Sequence, residues 1–369
     1  MGSIRRAPRT GRWEARYRDP AGRQRTATFD RKGDATVFLA AMETDMQKGA
    51  WRDPQLGRIL FADWADQYLA GAVHKRATTL HQDRQRLRSH ILPAFGNMPI
   101  ARITPLDVRR FVERLDTHLA PSTVRTVYGT LRAILSAAVA ADLLAVTPCR
   151  GVKLPPKRPT EKRVLTVEEL HRLGDAMQAE YRPMVYLAAV GSLRWEEIAG
   201  LRVGRLNFMS RTPTVAILET FTEIGGFEDV KTPAARRTIQ LPPFLVAMLA
   251  EHLARRGTPG PGELVFVAPR GGTLQMTNFH RRNWLPAVAK AGLPGFTFHG
   301  LRHSTVGLMV EMGHHPLVIQ RRLGHASSST TMDVYGHVLA ALDDSVTADF
   351  QALLGKPKAS PGSTGTVDR

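Results

Sequence analysis

The sequence holds a single cysteine, Cys149, among 369 residues. One cysteine forms no intramolecular disulfide and supplies no cysteine-based zinc site. No apolar run approaches the roughly 20 residues that span a bilayer, and the N-terminal sequence MGSIRRAPRT lacks the apolar core of a signal peptide. We therefore expect a soluble protein of the cytoplasm, without a membrane segment.

Acidic residues are also scarce relative to basic ones. Asp and Glu number 33 against 51 Lys and Arg, which gives a formal net charge of +18. The cations occur along the whole chain rather than in one tail, and extended basic surfaces bind nucleic acid by neutralising phosphates. DNA is therefore the first partner to consider, with an anionic membrane surface or plain solubility as alternatives.

Residues 1–55 predict a small β-sheet followed by a helix. Trp13, Ala15 and Tyr17 alternate, DPAGR forms a turn, and TATF returns as a strand before a helix from about Asp34. Many arginines surround the strands: Arg5, Arg6, Arg9, Arg12, Arg16 and Arg18. Such a sheet fits a DNA groove, although a solvated basic hairpin is the alternative.

Residues 59–150 predict a bundle of four amphipathic helices. One starts at Thr104-Pro105-Leu106-Asp107, which combines a hydroxyl cap, a first-turn proline and an early carboxylate. Arginines on the exposed faces suit a clamp around a duplex, or solvation alone. Residues 151–163 hold three prolines and many cations, which predicts an extended basic linker.

Residues 164–355 predict a mostly helical domain with a small antiparallel sheet. The domain opens with a capping box at Thr166, and strand-like segments follow at 214–218 and 237–241 around a long polar excursion. Helices recur to about Leu354, and the Pro/Gly/Ser-rich tail 356–369 is expected to be disordered. The predicted class is thus a multidomain α+β protein.

Candidate catalytic residues are concentrated in the segment 296–338. His299 and Arg302 are three residues apart, so a helix starting near Gly300 turns both toward one pocket. A guanidinium with imidazoles such as His325 suits a phosphate, because the fork binds its oxygens and the rings donate or relay protons. Tyr335 is then a candidate nucleophile that keeps the phosphate as a covalent ester.

Five motifs in this order resemble the tyrosine recombinases of the phage-integrase family. They are RWEEIAGL, KTPAARRTIQL, HGLRH, LGHASSS and VYGHV. The resemblance implies that residues 59–150 bind core attachment sites and that residues 1–55 bind arm sites. It also implies strand exchange on double-stranded DNA by a homotetramer, without metal, ATP or another cofactor. A DNA-bending accessory protein and an excision factor are expected partners.

The resemblance also implies a role for each matching residue. Arg194 and Arg302 hold the scissile phosphate, and Tyr335 attacks it to give a 3′-phosphotyrosyl link and a free 5′-hydroxyl. Lys231, on the turn between two strands, is the general acid for the leaving 5′-oxygen. His299 assists proton transfer, and His325 hydrogen-bonds the phosphate. Glu197 and His303 are expected to contact these groups rather than the DNA.

Each assignment has a plainer alternative. In the alternative, Arg194 forms an ion pair on a helix surface, and Lys231 is a solvated loop lysine. His299 and His303 form a two-histidine metal face in the alternative, but Gly300 stands where zinc hydrolases need glutamate. His325 alternatively caps a helix, and Tyr335 is an ordinary buried aromatic.

At the level of the whole protein, the main alternative function is a non-catalytic DNA-binding regulator. HPLVIQRRLGHASSSTTMDVY suits a helix-turn-helix with Val318, Ile319 and Leu323 as its core. This alternative leaves the catalytic set without a purpose. A type IB topoisomerase and a chromosome-resolving tyrosine recombinase share the chemistry.

Overall fold

A computed structural model describes residues 2–48, 51, 53, 56–156 and 163–324. The chain forms two compact units, Met1–Pro159 and Thr160–Arg369. Of the predicted linker, residues 151–156 and 163 are described and lie in neither helix nor strand. The predicted tail 356–369 and any helix beyond residue 324 lie outside the described residues. Within the described part of the chain, no helix has the length and hydropathy needed to cross a bilayer.

The first unit opens with a three-stranded antiparallel sheet and one helix: β1 Ser3–Arg6, β2 Trp13–Arg18, β3 Gln24–Phe29 and α1 Lys32–Gln47. One face of the sheet packs on α1, where Phe38 contacts the rings of Tyr17 and Phe29. Because side chains alternate along a strand, Arg5 and Arg16 lie on the opposite face. The predicted sheet and helix are confirmed, and β1 is an additional strand.

The rest of the first unit is helical: α2 Phe61–Ala70, α3 Ala77–Arg86, α4 Leu92–Phe95, α5 Pro105–Asp116 and α6 Pro121–Ala140. The start predicted at Thr104 is confirmed. The Thr104 hydroxyl accepts the N–H of Asp107 at 3.2 Å, and the Asp107 carboxylate accepts the N–H of Thr104 at 2.9 Å. Buried aliphatic and aromatic side chains from these helices form one core.

A π-helical segment, Leu87–Ile91, joins α3 to α4 and lets the chain stay helical past Pro93. Proline lacks an N–H and its ring clashes with the carbonyl four residues earlier in a regular α-helix. The wider turn, in which Leu92 N–H bonds the carbonyl of Leu87, removes that conflict. The helical stretch therefore continues past Pro93 to Phe95 and ends at Gly96.

The second unit contains α7 Val167–Ala176, α8 Arg182–Ala189, α9 Trp195–Ala199, β4 Leu206–Asn207, β5 Thr214–Ile217, β6 Glu219–Thr222, β7 Gly226–Asp229, β8 Arg237–Gln240, α10 Pro243–Arg255, α11 Met276–Phe279, α12 Leu285–Lys290, α13 Phe298–Glu311 and α14 Pro316–Leu323. Helix α8 is almost wholly buried and packs against α13 at the centre of the unit. The predicted capping box at Thr166 is confirmed, with Glu169 as its partner. The α+β class is confirmed as well.

Strands β4, β5 and β8 form an antiparallel sheet in that order, as the two strand-like segments predict. The polar excursion between β5 and β8 folds into a separate hairpin of β6 and β7. This hairpin packs on α9 so closely that a Cβ at Gly200 would lie 2.8 Å from the backbone nitrogen of Phe221. Strand β8 is an edge strand of the main sheet and begins at Arg237.

Candidate active site

Arg194 stands immediately before α9 and is fixed to that helix by Glu197. Its backbone N–H and its Nη1 each donate to the Glu197 carboxylate at 2.8 Å. The Glu197 side chain is 1% exposed, whereas that of Arg194 is 32% exposed. The carboxylate therefore holds one side of the guanidinium from the interior and leaves its remaining surface accessible to an anion.

Arg302 lies deeper, on α13. This helix begins at Phe298, two residues before the predicted start, because the Thr297 hydroxyl accepts the N–H of Gly300 at 3.1 Å. The Arg302 guanidinium is buried and donates to the backbone carbonyls of Ser192 and Leu323. Burial lowers the pKa of Arg302 to about 9, and the nearby cation of Arg194 adds to that shift.

Glu197 is shared with a second arginine, Arg237. The Arg237 fork binds the carboxylate at 2.9 and 2.8 Å. Burial raises the pKa of Glu197, but the hydrogen bonds and charge of Arg237 and the charge of Arg194 outweigh it and hold the pKa below 4.5. One carboxylate thus balances a cluster of three guanidiniums, those of Arg194, Arg237 and Arg302, and the excess positive charge favours a phosphate.

The C-terminal turn of α14 is held by the same arginines. Arg302 donates to the carbonyl of Leu323, and Arg237 donates to that of Arg322 at 3.0 Å. The side chain of Arg322 in turn donates to the carbonyl of Val190 at 2.7 Å. These bonds satisfy carbonyls that a helix end leaves without intrahelical partners, and they fix the backbone two residues before His325.

The structure locates the other predicted site residues less fully. The rings of His299 and His303 meet edge to face with centroids 4.8 Å apart, and His299 is exposed while His303 is half-buried. Lys231 is exposed in the connection between β7 and β8. His325 and Tyr335 lie outside the described residues. The structure therefore joins Arg194, Glu197 and Arg302 in one cluster, and the roles of all the predicted groups stay predictions.

No cluster of three or more His, Cys, Asp or Glu side chains arranged to hold a metal occurs in the part of the chain that the structure describes. His299 and His303 are adjacent on one face of α13, but two imidazoles alone fall short of the three protein ligands of a catalytic zinc site.

Sequence reasoning missed two further members of the site. Arg237 binds Glu197, and the carbonyl of Ser192 accepts from both Arg302 and Arg237. Ser192 adopts a left-handed backbone with φ 58°, which is uncommon outside glycine. No sequence signal separates Arg237 from its neighbour Arg236, whereas the Gly191-Ser192 pair does mark a tight turn.

Three family models cover most of the chain. The phage integrase family matches residues 163–341, a phage integrase N-terminal SAM-like domain matches residues 60–115, and a phage integrase N-terminal domain matches residues 1–48. A putative prophage phiRv2 integrase of Mycobacterium tuberculosis is 30% identical over 352 residues, which are 92% of each chain. The integrase of Mycobacterium phage D29 is 28% identical, covering 96% of this chain and 97% of the phage protein.

Solved structures agree in fold. The Tn1549 transposon integrase in complex with transposon right end DNA superposes with a TM-score of 0.68 at 19% identity, covering 80% of this chain and all of that one. A lambda integrase tetramer bound to a Holliday junction superposes with a TM-score of 0.56 at 16% identity, covering 88% and 96%.

The full-length similarity to the prophage integrase confirms the family indicated by the motifs. It extends over the N-terminal sheet, the helical region and the second unit alike. The chain therefore belongs to the phage integrase family of tyrosine recombinases and is a site-specific DNA integrase.

Proposed function

We propose that Arg194 and Arg302 bind the scissile phosphate of an attachment site. The observation that carries this proposal is the cluster in which one buried carboxylate, Glu197, faces three guanidiniums. A phosphodiester gains negative charge in its pentavalent transition state, and fixed cations in a buried site stabilise that charge without reorganising. The cluster therefore favours the transition state over the ground state, which is what accelerates the reaction.

Tyr335 is the proposed nucleophile. Its phenolic oxygen forms a bond to phosphorus while the bond from phosphorus to the 5′-oxygen breaks, which leaves a 3′-phosphotyrosyl ester. Lys231 gives a proton to the leaving 5′-oxygen, and His299 assists removal of the phenol proton. His325 donates a hydrogen bond to the phosphate. The ester conserves the energy of the bond, so a 5′-hydroxyl from another DNA strand reverses the step without metal or ATP.

The predicted domains divide the contacts with DNA. The sheet of residues 1–55 binds arm sites, the helices of 59–150 bind core sites, and residues 164–355 cut the strand. The solved relatives are described as bound to transposon DNA and to a Holliday junction, which supports double-stranded DNA as the partner. The lambda integrase tetramer supports assembly as a homotetramer, with residues 338–354 as the packing element between neighbours.

Two relatives support the biological setting, since one comes from Mycobacterium tuberculosis and the other from Mycobacterium phage D29. The enzyme then integrates and excises phage or mobile-element DNA in the bacterial cytoplasm. A DNA-bending accessory protein and an excision factor complete the proposed assembly. A chromosome-resolving recombinase is the second candidate, because a XerC-like tyrosine recombinase is 25% identical over 271 residues.

The test is covalent capture of the protein on DNA. A duplex carrying a candidate attachment core, nicked beside the cleavage position, is incubated without metal and resolved on a denaturing gel. Wild type is expected to form an adduct that Tyr335→Phe does not form. Tyr181→Phe is the matched control, because it also removes a phenol oxygen, here one that donates to the carbonyl of Val267, and it is expected to keep the adduct.

An adduct in both Tyr335→Phe and wild type would place the nucleophile elsewhere. Tight binding by wild type without any adduct would contradict the proposed chemistry on that DNA and favour a regulatory role.

A further inference from the structure

Arg236 and Arg237 are sequence neighbours in opposite environments. The Arg236 side chain is 53% exposed and pairs with Asp229, which is 75% exposed. The Arg237 side chain is 6% exposed and pairs with Glu197, which is 1% exposed. Surface pairs contribute little to stability, whereas a buried arginine persists only when its charge and its N–H groups are all satisfied. Arg237 is such a residue.

All five N–H groups of Arg237 donate to protein oxygens. Nε donates to the carbonyl of Arg322 at 3.0 Å, and Nη1 donates to Glu197 at 2.9 Å and to the carbonyl of Ala235 at 3.1 Å. Nη2 donates to Glu197 at 2.8 Å and to the carbonyl of Ser192 at 3.4 Å. A guanidinium has five N–H donors, so Arg237 retains none for a phosphate. It is therefore not a ligand of DNA in this arrangement.

Two of its acceptors also hold the proposed phosphate ligands. Glu197 accepts from Arg194, and the carbonyl of Ser192 accepts from Arg302. Arg237 therefore connects Arg194 to Arg302 through one shared oxygen acceptor on each side. The planar guanidinium fork of Arg237 fixes the angle between those two acceptors. A lysine ammonium does not reproduce this geometry.

A third acceptor lies at the end of α14. The carbonyl of Arg322 precedes that of Leu323, which accepts from Arg302. Gly324 follows in a left-handed conformation with φ 64°, and a Cβ there would lie 2.9 Å from the carbonyl oxygen of Ala234. The chain that leads to His325 is thus packed on the connection before β8 and bonded to its first residue, Arg237.

We infer that Arg237 is a positioning residue for strand cleavage, which sets the two phosphate-binding arginines and the end of α14 in one geometry. This inference rests on the proposed roles of Arg194 and Arg302. Arg237 acts through Glu197 and the carbonyls of Ser192 and Arg322, and it touches neither DNA nor the reacting atoms. Its loss is therefore expected to slow cleavage while DNA binding persists.

The experiment compares Arg237→Met with Arg236→Ala on the nicked attachment duplex. For each protein, single-turnover adduct formation and the Kd of the non-covalent complex are measured. Arg237→Met is expected to form adduct about 100-fold more slowly, the scale of a 1 Å misplacement, with a Kd close to that of wild type. Arg236→Ala is expected to stay within about threefold of wild type, as for an exposed ion pair.

A double substitution distinguishes positioning from a general loss of packing. If Arg237 acts through Glu197, then Glu197→Gln combined with Arg237→Met is no slower than the slower single variant, because the second change removes a contact already lost. If the rate losses of the two single variants multiplied in the double variant, their effects would be independent. That result would overturn the inference. Wild-type cleavage by Arg237→Met, or a loss of DNA affinity as large as the loss of rate, would overturn it as well.

Arg237→Lys provides the test if Arg237→Met does not fold. It keeps the charge but loses the fork, and it is expected to bind DNA like wild type and to cleave more slowly than Arg236→Ala. Equal rates for those two variants would overturn the inference. Adduct formation by Arg236→Ala itself reports on the proposed chemistry, so a failure of that chemistry is distinguishable from a failure of Arg237.

Discussion

At the scale of single residues, Glu197 offsets the positive charge of the arginines in the site. It is buried, and it accepts from both Arg194 and Arg237. Removing one partner of a buried ion pair leaves the remaining charge uncompensated, and this costs more free energy than the intact pair contributes. Glu197 therefore contributes to the stability of the folded chain through its pairing with both arginines.

Glu197→Gln is expected to lower the free energy of unfolding by about 3 kcal/mol at pH 7. Because the folded-state pKa of Glu197 is held below 4.5, its stabilisation is present above that pH and is lost as the pH falls through the folded-state value. The difference between wild type and Glu197→Gln should thus shrink on acidification. Chemical denaturation of both proteins from pH 7 to acid pH measures this.

Glu196→Gln is the matched control, because this neighbouring carboxylate is exposed. It should follow wild type at every pH. A wild-type advantage over Glu197→Gln that grew as the pH fell would contradict the assigned ion pair.

Lys231 is exposed, and its proposed role as general acid requires proton donation to the 5′-oxygen. Lys231→Ala is therefore expected to slow cleavage of ordinary DNA by about 10²- to 10⁴-fold, the usual range for this form of catalysis. A substrate with sulfur in place of the 5′-oxygen needs no such proton, because a thiolate is a far weaker base than an alkoxide. On that substrate Lys231→Ala should cleave nearly as fast as wild type.

The comparison uses initial rates on matched oxygen and sulfur duplexes. Lys290→Ala, which removes another exposed lysine from the same unit, should behave as wild type on both. If the deficit of Lys231→Ala were equal on the two substrates, Lys231 would act on binding or on another step.

At the scale of helices and strands, the hairpin of β6 and β7 packs on α9, the helix that carries Glu197. Arg202 pairs with Glu219 at 3.2 Å and lies over the ring of Phe227 at 4.5 Å, while Glu223 accepts the N–H of Met276. These contacts anchor both strands and the turn of the hairpin. Because Lys231 lies two residues after the end of β7, the hairpin sets where the connection that carries the lysine begins.

Gly200→Ala tests this anchoring. The new methyl would lie 2.8 Å from the backbone nitrogen of Phe221, so the hairpin must shift, and overpacking of this kind costs about 1–3 kcal/mol. We expect a lower melting temperature together with slower cleavage. Thermal unfolding and adduct formation are measured on the same protein, with Gly262→Ala as control because its Cβ position is open. Unchanged cleavage by Gly200→Ala would separate the hairpin from the site.

The helices and strands that were predictable have strong local signals. Thr104 and Thr166 each combine a hydroxyl with a carboxylate three residues later, so both helix starts follow from the sequence. Strand β1 lacks such a signal, because its sequence SIRR holds a single apolar residue. The continuation of helix past Pro93 depends on a π-helical turn, which no residue pattern indicates.

The residues of the site differ in the same way. Some are recognisable from their neighbours in sequence, and others only from contacts with residues far along the chain. Arg194 and Arg302 are recognisable because each stands in a motif with neighbours in sequence. Arg237 also stands in a motif, KTPAARRTIQL, but the motif does not separate it from Arg236. Its partner Glu197 is 40 residues away, and the pairing of β5 with β8 is what brings β8 to the cluster. Burial is what separates Arg237 from Arg236, and burial is a property of the folded chain.

At the scale of the whole molecule, the basic residues that give the charge of +18 occupy different environments. Arg237 and Arg302 are buried within the second unit, whereas Arg5 and Arg16 are displayed on the outer face of the N-terminal sheet. Glu14 accepts from both of these arginines, at 2.9 and 3.2 Å. This carboxylate aligns the two side chains on adjacent strands of the sheet that is proposed to bind arm sites.

Arg5→Ala and Arg16→Ala are expected to weaken arm-site binding and to leave cleavage of an isolated core site unchanged. Each phosphate contact that is lost should reduce the slope of log K against log salt by about 0.9, whereas loss of a base contact should instead relax sequence preference. Titrations of arm-site duplexes at several salt concentrations, run beside core-site adduct assays, measure both. Arg172→Ala, which removes an exposed charge from the second unit, should leave arm binding intact. Equal losses on arm and core DNA would show that the N-terminal sheet contributes only general charge, because a dedicated arm-binding surface affects one class of site alone.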